Sequence, residues 1–142
     1  MTTAFTSNPA LTENARRIMP YAAFIGLEAG YGERDQLLFS LPFIEQNIGN
    51  IFLPALYGGL IGGFLESASC LFLYHSANLS QLPKMVDFSL DYLRSGKPET
   101  CYACCVLTRQ GHRIANVAAE VWQSDSAKPI ATARTHFQMP QT

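Results

Sequence analysis

Glu66 is the one charged residue in an apolar segment that runs from Tyr57 to about Ala77. A carboxylate held in such a segment can act as a general base for water or as a nucleophile. The segment opens with Gly58 and Gly59. If a helix starts there, its first amides have no intrahelical acceptor and lie at the positive end of the helix dipole. Together these residues could stabilise a negatively charged carbonyl oxygen and activate the group that attacks its carbon.

The spacing of apolar residues predicts one long helix over this segment. Leu60, Phe64 and Leu71 recur at helical steps, and no proline interrupts them. Because the segment is apolar on nearly all sides, we expect it to be buried on nearly all sides.

The separation of Gly58 and Glu66 along this helix predicts a dimer. Eight residues span about 12 Å of helix, which is too far for one carbonyl group to touch both. Two antiparallel helices from two subunits would bring Gly58 of one chain near Glu66 of the other. A charged fraction of 15% also favours extra buried surface at a subunit interface.

The residues after the helix predict four strands, because apolar and polar side chains alternate there. In the first of them, one face is expected to carry Val86, Phe88, Leu90 and Tyr92. Short turns between the strands predict a consecutive antiparallel meander. Before the helix, a hairpin is expected around residues 32–35, and residues 44–55 are interpreted as a loop. The predicted fold class is α+β, with a long central helix wrapped by a curved antiparallel sheet.

The length of 142 residues predicts a single domain over residues 1–142. A short N-terminal helical segment is expected over about residues 11–24, with Thr12 as a possible cap. The formal net charge of -1 argues against a broad phosphate-binding face, so we expect no nucleic acid partner.

Cysteine usage and the N-terminus predict a cytoplasmic protein without a metal or other cofactor. The N-terminus has no basic region followed by an apolar stretch, so it does not resemble a signal peptide. Cys101 and Cys104 should lie on opposite faces of a strand and lack further zinc ligands. We interpret the four cysteines as packed free thiols in a reducing compartment.

Membrane insertion is the rival interpretation of the apolar segment. Its length would cross a bilayer, and its two G-x-x-x-G pairs suit helix packing in lipid. A central Glu66 would cost about 2.5–3.5 kcal/mol or more there, and no basic cluster marks a flank. We therefore expect no membrane partner, and we interpret Gly62 and Gly63 as sites of close helix packing in a soluble fold. For Gly58 and Gly59, packing and catalysis both remain open.

Four sequence motifs, taken in order along the chain, together match the pattern of a known protein family. "LPALYGG" opens the predicted helix, and an acid follows nine positions after its tyrosine. "VDFSLDYLRSG", "TRQGHRIANVAAEVWQ" and "KPIATARTHF" come after it in that order. From about residue 20 to 138, the chain resembles the hotdog-fold acyl-CoA thioesterases of the 4-hydroxybenzoyl-CoA thioesterase superfamily, specifically their phenylacetate-pathway-like branch. The resemblance implies a hydrolase that acts on acyl-CoA and forms homo-oligomers, commonly dimers with sites between subunits and often tetramers.

The resemblance also implies roles for particular residues. The catalytic carboxylate of the family falls on Glu66, and the amide that polarises the thioester carbonyl falls on Gly58. Tyr57 occupies the position of the usual family histidine. The polar residue that many members carry six positions before that histidine falls on Ile51, with Asn50 beside it.

We assign substrate binding to Asn50, Tyr57 and Gly59, and to Arg94 and Arg113 as basic residues able to meet the phosphates of coenzyme A. Glu66 would be either the base or the nucleophile. The alternative is a non-catalytic hotdog module that binds acyl-CoA or an assembly partner, which Tyr57 and Ile51 favour.

Overall fold

The computed structural model describes residues 3–44, 48–50 and 55–141. Its central element is helix α3, Gly58–Ser76. Phe64, Leu65 and Ala68 on this helix have no exposed surface, because the sheet described below packs against them. The long helix predicted from the apolar spacing is confirmed.

A seven-stranded antiparallel sheet packs against α3. Its strands are β1 (Phe5–Ser7), β2 (Glu28–Gly32), β3 (Leu37–Leu41), β6 (Lys84–Tyr92), β7 (Cys101–Gln110), β8 (Ile114–Trp122) and β9 (Ala131–Gln138). They lie in the order β1-β2-β3-β7-β8-β9-β6. The predicted architecture, a long helix wrapped by a curved antiparallel sheet, is confirmed.

The prediction of a consecutive four-strand meander is wrong at its first strand. β7, β8 and β9 follow one another across the sheet, but β6 pairs with β9 and β7 pairs with β3. The reason lies in residues 93–100, which do not form a tight turn between neighbouring strands. They cross the start of α3, where a side chain at Gly96 would contact Ile61 and Ile130.

The predicted face of β6 is also corrected at one residue. The register shifts between Met85 and Asp87, so Val86 is an extra residue on the bulged strand. Val86 is 59% exposed, whereas Met85 is paired with Phe137 beside the helix. Because of the bulge, Met85 and not Val86 lies on the face that Phe88, Leu90 and Tyr92 share.

Two short helices precede the first hairpin: α1, Pro9–Ile18, and α2, Pro20–Ile25. Asn8 caps α1, because its side chain accepts from the amide of Leu11 at 3.0 Å. The cap predicted at Thr12 is wrong. The Thr12 hydroxyl is buried inside the helix, where it donates to the carbonyl of Ala29 and accepts from its amide.

Residues 44–55 were expected to form a loop, but the described part of this segment contains strands. β4 (Ile48–Asn50) and β5 (Ala55–Leu56) pair antiparallel as a separate two-stranded ribbon. The ribbon leads the chain to the start of α3. Ile51 lies outside the described residues.

Helix α3 runs antiparallel to β6. The start of α3 lies beside the end of β6, since the hydroxyl of Tyr92 donates to the carbonyl of Gly58. Near the other end of α3, the thiol of Cys70 lies 3.8 Å from the carbonyl oxygen of Pro83, just before β6 begins. Among the described residues, no helix has the length and apolar character needed to cross a membrane.

Candidate active site

One face of α3 lines a cavity of about 520 Å³. The helix contributes Gly59, Gly63, Glu66 and Cys70, which are spaced by three or four residues and so fall on one stripe. The two glycines add no side-chain volume to this face. Glu66 is therefore a half-buried carboxylate within a groove that its own helix leaves open.

Three other elements form the walls of this cavity. Met19 and Tyr21 come from the start of α2 and the residue before it, Met85 comes from β6, and Phe137 comes from β9. Most of these side chains are apolar, and the two methionines can adjust to irregular shapes. The cavity thus combines one carboxylate with a surround suited to an apolar group.

Tyr21 closes the groove next to Glu66. A Cβ atom added at Gly63 would overlap the hydroxyl of Tyr21, so glycine at this position makes room for the phenol. Burial, and secondly the charge of Glu66, raise the pKa of the Tyr21 hydroxyl. The same two causes raise the pKa of the Cys70 thiol to about 12. Burial is the larger cause of both pKa shifts, and the smaller contribution of Glu66 shows that its carboxylate lies close to the phenol and the thiol.

The start of α3 presents backbone donors. The carbonyl of Tyr57 accepts from the amides of Leu60 and Ile61, at 3.1 and 3.2 Å. The amides of Gly58 and Gly59 precede the first possible intrahelical bond, and neither has a hydrogen-bond partner within the described part of the chain. Both glycines are exposed. No group in the described part of the chain competes for these two N–H groups, so they can bind an oxygen atom of a ligand.

The neighbourhoods of Gly58 and Gly59 differ. A Cβ at Gly58 would lie 3.2 Å from the hydroxyl oxygen of Tyr92, whereas one at Gly59 would meet none of the described residues within 4 Å. Open space therefore adjoins Gly59, and Tyr92 covers Gly58.

The structure brings some of the sequence-predicted residues together and separates others. Glu66 and Gly59 line one cavity, and Gly58 and Tyr57 adjoin it at the helix start. The Tyr57 side chain, 51% exposed, makes no capping hydrogen bond. The backbone of Asn50 pairs with that of Ala55 in the ribbon that leads to the helix.

The two arginines lie at opposite ends of the sheet. Arg94 follows β6 near the helix start and donates to the carbonyl of Pro129 at 2.6 Å. Arg113 lies in the turn between β7 and β8, where its carbonyl accepts from the amide of Met139. The eight residues of β9 separate the two ends by about 25 Å, so one chain does not bring both arginines to one phosphate group.

The outer face of the sheet carries other polar groups, away from Glu66. A second cavity of about 430 Å³ there is lined by Asp91, Glu120 and Arg134, among others. The imidazole of His136 lies 2.6 Å from the carboxylate of Asp87 nearby, and both are largely exposed. Among the described residues, no group of three His, Cys, Asp or Glu side chains is placed to hold a metal ion.

A family model described as the thioesterase superfamily matches residues 53–130, more than half of the chain. The chain belongs to the thioesterase superfamily. The match includes the helix start, Glu66 and three of the seven strands of the sheet, β6, β7 and β8. None of the curated proteins compared with the chain matches it.

Several solved structures share the fold of this chain over more than nine tenths of its length. A protein of Chromobacterium violaceum is 41% identical, with a TM-score of 0.74 over 93% of this chain and 95% of that one. A Bacillus halodurans protein solved with CoA has a TM-score of 0.75 at 17% identity, over 96% and 97% of the two chains. A phenylacetic acid degradation-related protein of Ralstonia eutropha has a TM-score of 0.72 at 18% identity, over 91% and 98%. These likenesses confirm the hotdog fold. The family model confirms the resemblance to thioesterases that the sequence motifs indicate.

Sequence reasoning about this superfamily member missed two tyrosines beside the site. Tyr21 lies in an N-terminal segment that carries no motif, and only the folded chain brings it to Gly63. Tyr92 was assigned to the inner face of a strand, but its hydrogen bond to the helix start links residues 34 positions apart. The repeated glycines of α3 were the available signal, because they mark where other groups approach the helix closely.

Proposed function

We propose that this protein is an acyl-CoA thioesterase whose site lies between two subunits. Glu66 acts as the base that activates water or as the nucleophile, and the Gly58 amide stabilises the negative charge on the thioester oxygen. The observation that carries the proposal is the apolar cavity that contains Glu66 and reaches Gly59, next to Gly58 at the helix start, in a member of the thioesterase superfamily. The proposed location is the cytoplasm, with no cofactor.

The chemistry needs no group beyond those named. Water, deprotonated by Glu66, attacks the thioester carbon, and the carbonyl oxygen becomes negatively charged. Helix-start amides bind that oxygen more strongly in the transition state than in the ground state. The carbon–sulfur bond then breaks, the proton passes from Glu66 to the sulfur, and a carboxylic acid and free CoA leave. On the nucleophile route, Glu66 attacks the thioester carbon, the carbon–sulfur bond breaks, and CoA thiolate leaves a mixed anhydride on Glu66. Water then hydrolyses the anhydride, which restores the Glu66 carboxylate, releases the carboxylic acid and supplies the proton that the thiolate takes up.

The distance argument for a second subunit still holds with the observed helix. Gly58 and Glu66 lie on one continuous α-helix, so about 12 Å separates them along its axis.

The free edge of β6 supports a way to assemble the dimer. β6 is the last strand of the sheet, and apolar side chains are exposed on it and just after it, including Val86, Tyr92 and Leu93.

Exposed strand edges of this kind readily pair with another chain. Antiparallel pairing of β6 with β6 of a second copy would continue the sheet. Because α3 runs antiparallel to β6, the same two-fold axis would set the two helices antiparallel and bring each Gly58 toward the other chain's Glu66. The two ends of the sheet would also exchange, so Arg94 of one copy and Arg113 of the other could serve one CoA molecule. Pairs of such dimers would form the expected tetramer.

The substrate class follows from the cavity and from the relatives. The apolar walls suit an acyl group, and the solved Bacillus halodurans relative holds CoA. Asn50, Tyr57 and Gly59 would contact the substrate near the thioester.

The first test is release of free thiol from a panel of acyl-CoA thioesters, with wild-type protein and Glu66→Gln. Glutamine keeps the size of the side chain but cannot act as the base or the nucleophile. We expect kcat to fall about 10²- to 10⁴-fold, the usual contribution of a general base.

The matched control is Glu120→Gln, because Glu120 is an exposed carboxylate on the outer face of the sheet. This variant should keep wild-type turnover. Equal turnover by Glu66→Gln and wild-type protein would remove Glu66 from the mechanism. No turnover on any substrate by wild-type protein, with CoA binding retained, would instead favour a non-catalytic acyl-CoA-binding module, which the tyrosine at position 57 also allows.

A further inference from the structure

Tyr92 forms a side-chain hydrogen bond to the first turn of α3. Its hydroxyl donates to the carbonyl oxygen of Gly58 at 2.5 Å. Glycines make room for the ring: a Cβ at Gly58 would lie 3.2 Å from the Tyr92 hydroxyl oxygen, and one at Gly62 would lie 3.6 Å from it. The two glycines on this face of the helix, Gly58 and Gly62, therefore leave space for the phenol of Tyr92.

The bonded carbonyl belongs to the peptide group that supplies the Gly59 amide. In an α-helix the Gly58 carbonyl accepts from the amide four residues later, but a carbonyl oxygen has two lone pairs. The phenol can thus add a second donor without breaking the helix. Hydrogen bonds in a chain polarise one another, so donation to the carbonyl makes the N–H of the same peptide a better donor.

The two consecutive glycines at the helix start also need a restraint. Glycine has wide backbone freedom, and the Tyr57 side chain makes no cap that would order this turn. The Tyr92 hydroxyl fixes the orientation of the peptide between Gly58 and Gly59 from the strand side.

We propose that Tyr92 is a positioning residue, which holds the peptide between Gly58 and Gly59 so that the Gly59 N–H, next to the Gly58 N–H, faces the thioester oxygen. The inference rests on the proposed function. Tyr92 would not touch the substrate but would act through the backbone. Because the oxygen gains charge only in the transition state, the loss of the phenol hydroxyl should lower kcat and leave KM nearly unchanged.

The test is Tyr92→Phe, which removes the hydroxyl and keeps the ring in its seat. The first readout is independent of activity: amide resonances of protein labelled with ¹⁵N-glycine, which has at most ten signals. The Gly59 signal is identified by its loss in Gly59→Ala. We expect the Gly59 resonance to move in Tyr92→Phe, and kcat on the best acyl-CoA to fall about threefold to tenfold, the effect of one ordinary hydrogen bond.

Tyr102→Phe is the control, since the Tyr102 ring packs against Phe5 and Trp122, away from the helix start. It should leave both readouts unchanged. If Tyr92→Phe does not fold, Tyr92→Leu also removes the hydroxyl from this 54% exposed side chain, and it should move the same resonance in the same direction.

An unmoved Gly59 resonance, an unchanged kcat, or a rise in KM alone would overturn the proposal. Failure of the proposed function has a different signature. In that case the Gly59 resonance moves in Tyr92→Phe, yet Glu66→Gln hydrolyses acyl-CoA as fast as wild-type protein. In that case Tyr92 does position the peptide between Gly58 and Gly59, but the reaction proposed for this site is wrong.

Discussion

The two glycine pairs of α3 have the same spacing and opposite surroundings. Gly58 and Gly62 are covered by Tyr92 and Leu90 from β6. Gly59 and Gly63, each one residue further along and so rotated by about 100°, face the cavity that holds Glu66. The first pair lets a strand pack closely against the helix, and the second keeps space open beside a carboxylate. The comparison teaches that a G-x-x-x-G repeat by itself indicates close approach and does not say what approaches.

Within the open pair, the two positions also differ. In the part of the chain that the structure describes, no atom lies within 4 Å of a Cβ at Gly59, whereas a Cβ at Gly63 would overlap the Tyr21 hydroxyl. Tyr21 is itself stacked on Phe24, with ring centroids 6.3 Å apart. The groove is therefore open at the helix start and closed by an aromatic side chain next to Glu66.

Alanine substitution at these two positions should separate them. Gly59→Ala should raise the free energy of unfolding by about 0.5–1 kcal/mol, because alanine is the better helix former and its methyl group meets open space. Gly63→Ala should raise the free energy of unfolding by less than Gly59→Ala does, or lower it, because the new methyl group must displace the Tyr21 hydroxyl. Urea unfolding of both variants measures the difference.

The Tyr21→Ala background is the control for this pair. There the phenol is gone, and Gly63→Ala should recover the gain that Gly59→Ala shows. Equal gains by the two single variants would mean that Tyr21 does not occupy the groove in solution.

A smaller effect concerns the deep end of the open face, where Cys70 lies 8% exposed. Its pKa of about 12 means that the folded thiol stays protonated at pH 8, whereas an unfolded cysteine begins to ionise there. We expect alkylation of Cys70 by iodoacetamide at pH 8 to be roughly a hundredfold or more slower than that of a free thiol. The rate should keep rising with pH above 9, where that of a free thiol levels off.

Peptide mass spectrometry after timed labelling gives the rate at each cysteine. Cys104, which is half-buried, should label sooner than Cys70 and serves as the internal reference. Fast labelling of Cys70 at pH 8 would show that solvent reaches the end of the groove, contrary to the closed shape described above.

The sequence predicted the elements better than their arrangement. Apolar spacing located α3 to within a residue or two, and alternation located all four strands that follow it. The place of β6 at the sheet edge could not be predicted, because pairing depends on where a connection crosses the helix and not on the strand's own pattern. The bulge at Val86 was hidden for a related reason: one extra residue leaves the composition of the strand unchanged.

The candidate site was predictable where chemistry is local. A lone acid in an apolar helix and glycines at the helix start are visible in the sequence, and the structure joins Glu66 and Gly59 in one cavity. Tyr21 and Tyr92 were not predicted as parts of this region, because their neighbours at the helix are distant in the chain. Arg94 and Arg113 fall at opposite ends of the sheet for the same reason, since charge at a turn does not indicate which end the turn occupies.

The claim that two subunits build each site can be tested with mixed oligomers. One partner carries Glu66→Gln and the other Gly58→Pro. Proline at the first helical position removes the N–H and breaks no intrahelical hydrogen bond, although its ring adds a Cβ beside Tyr92. The residue before it already has the extended backbone that proline requires, with φ -58° and ψ 128° at Tyr57. Gly58→Ala, which keeps the N–H and adds the same Cβ beside Tyr92, is the matched control and should retain most activity.

The decisive measurement is thioester hydrolysis by purified dimers that contain one copy of each variant. Each variant alone should be nearly inactive. In the mixed dimer, one site carries both substitutions and the other carries neither, so we predict about half of the wild-type activity. Mixed dimers as inactive as their parents would contradict the account, because they would mean that Gly58 and Glu66 of one chain serve the same site.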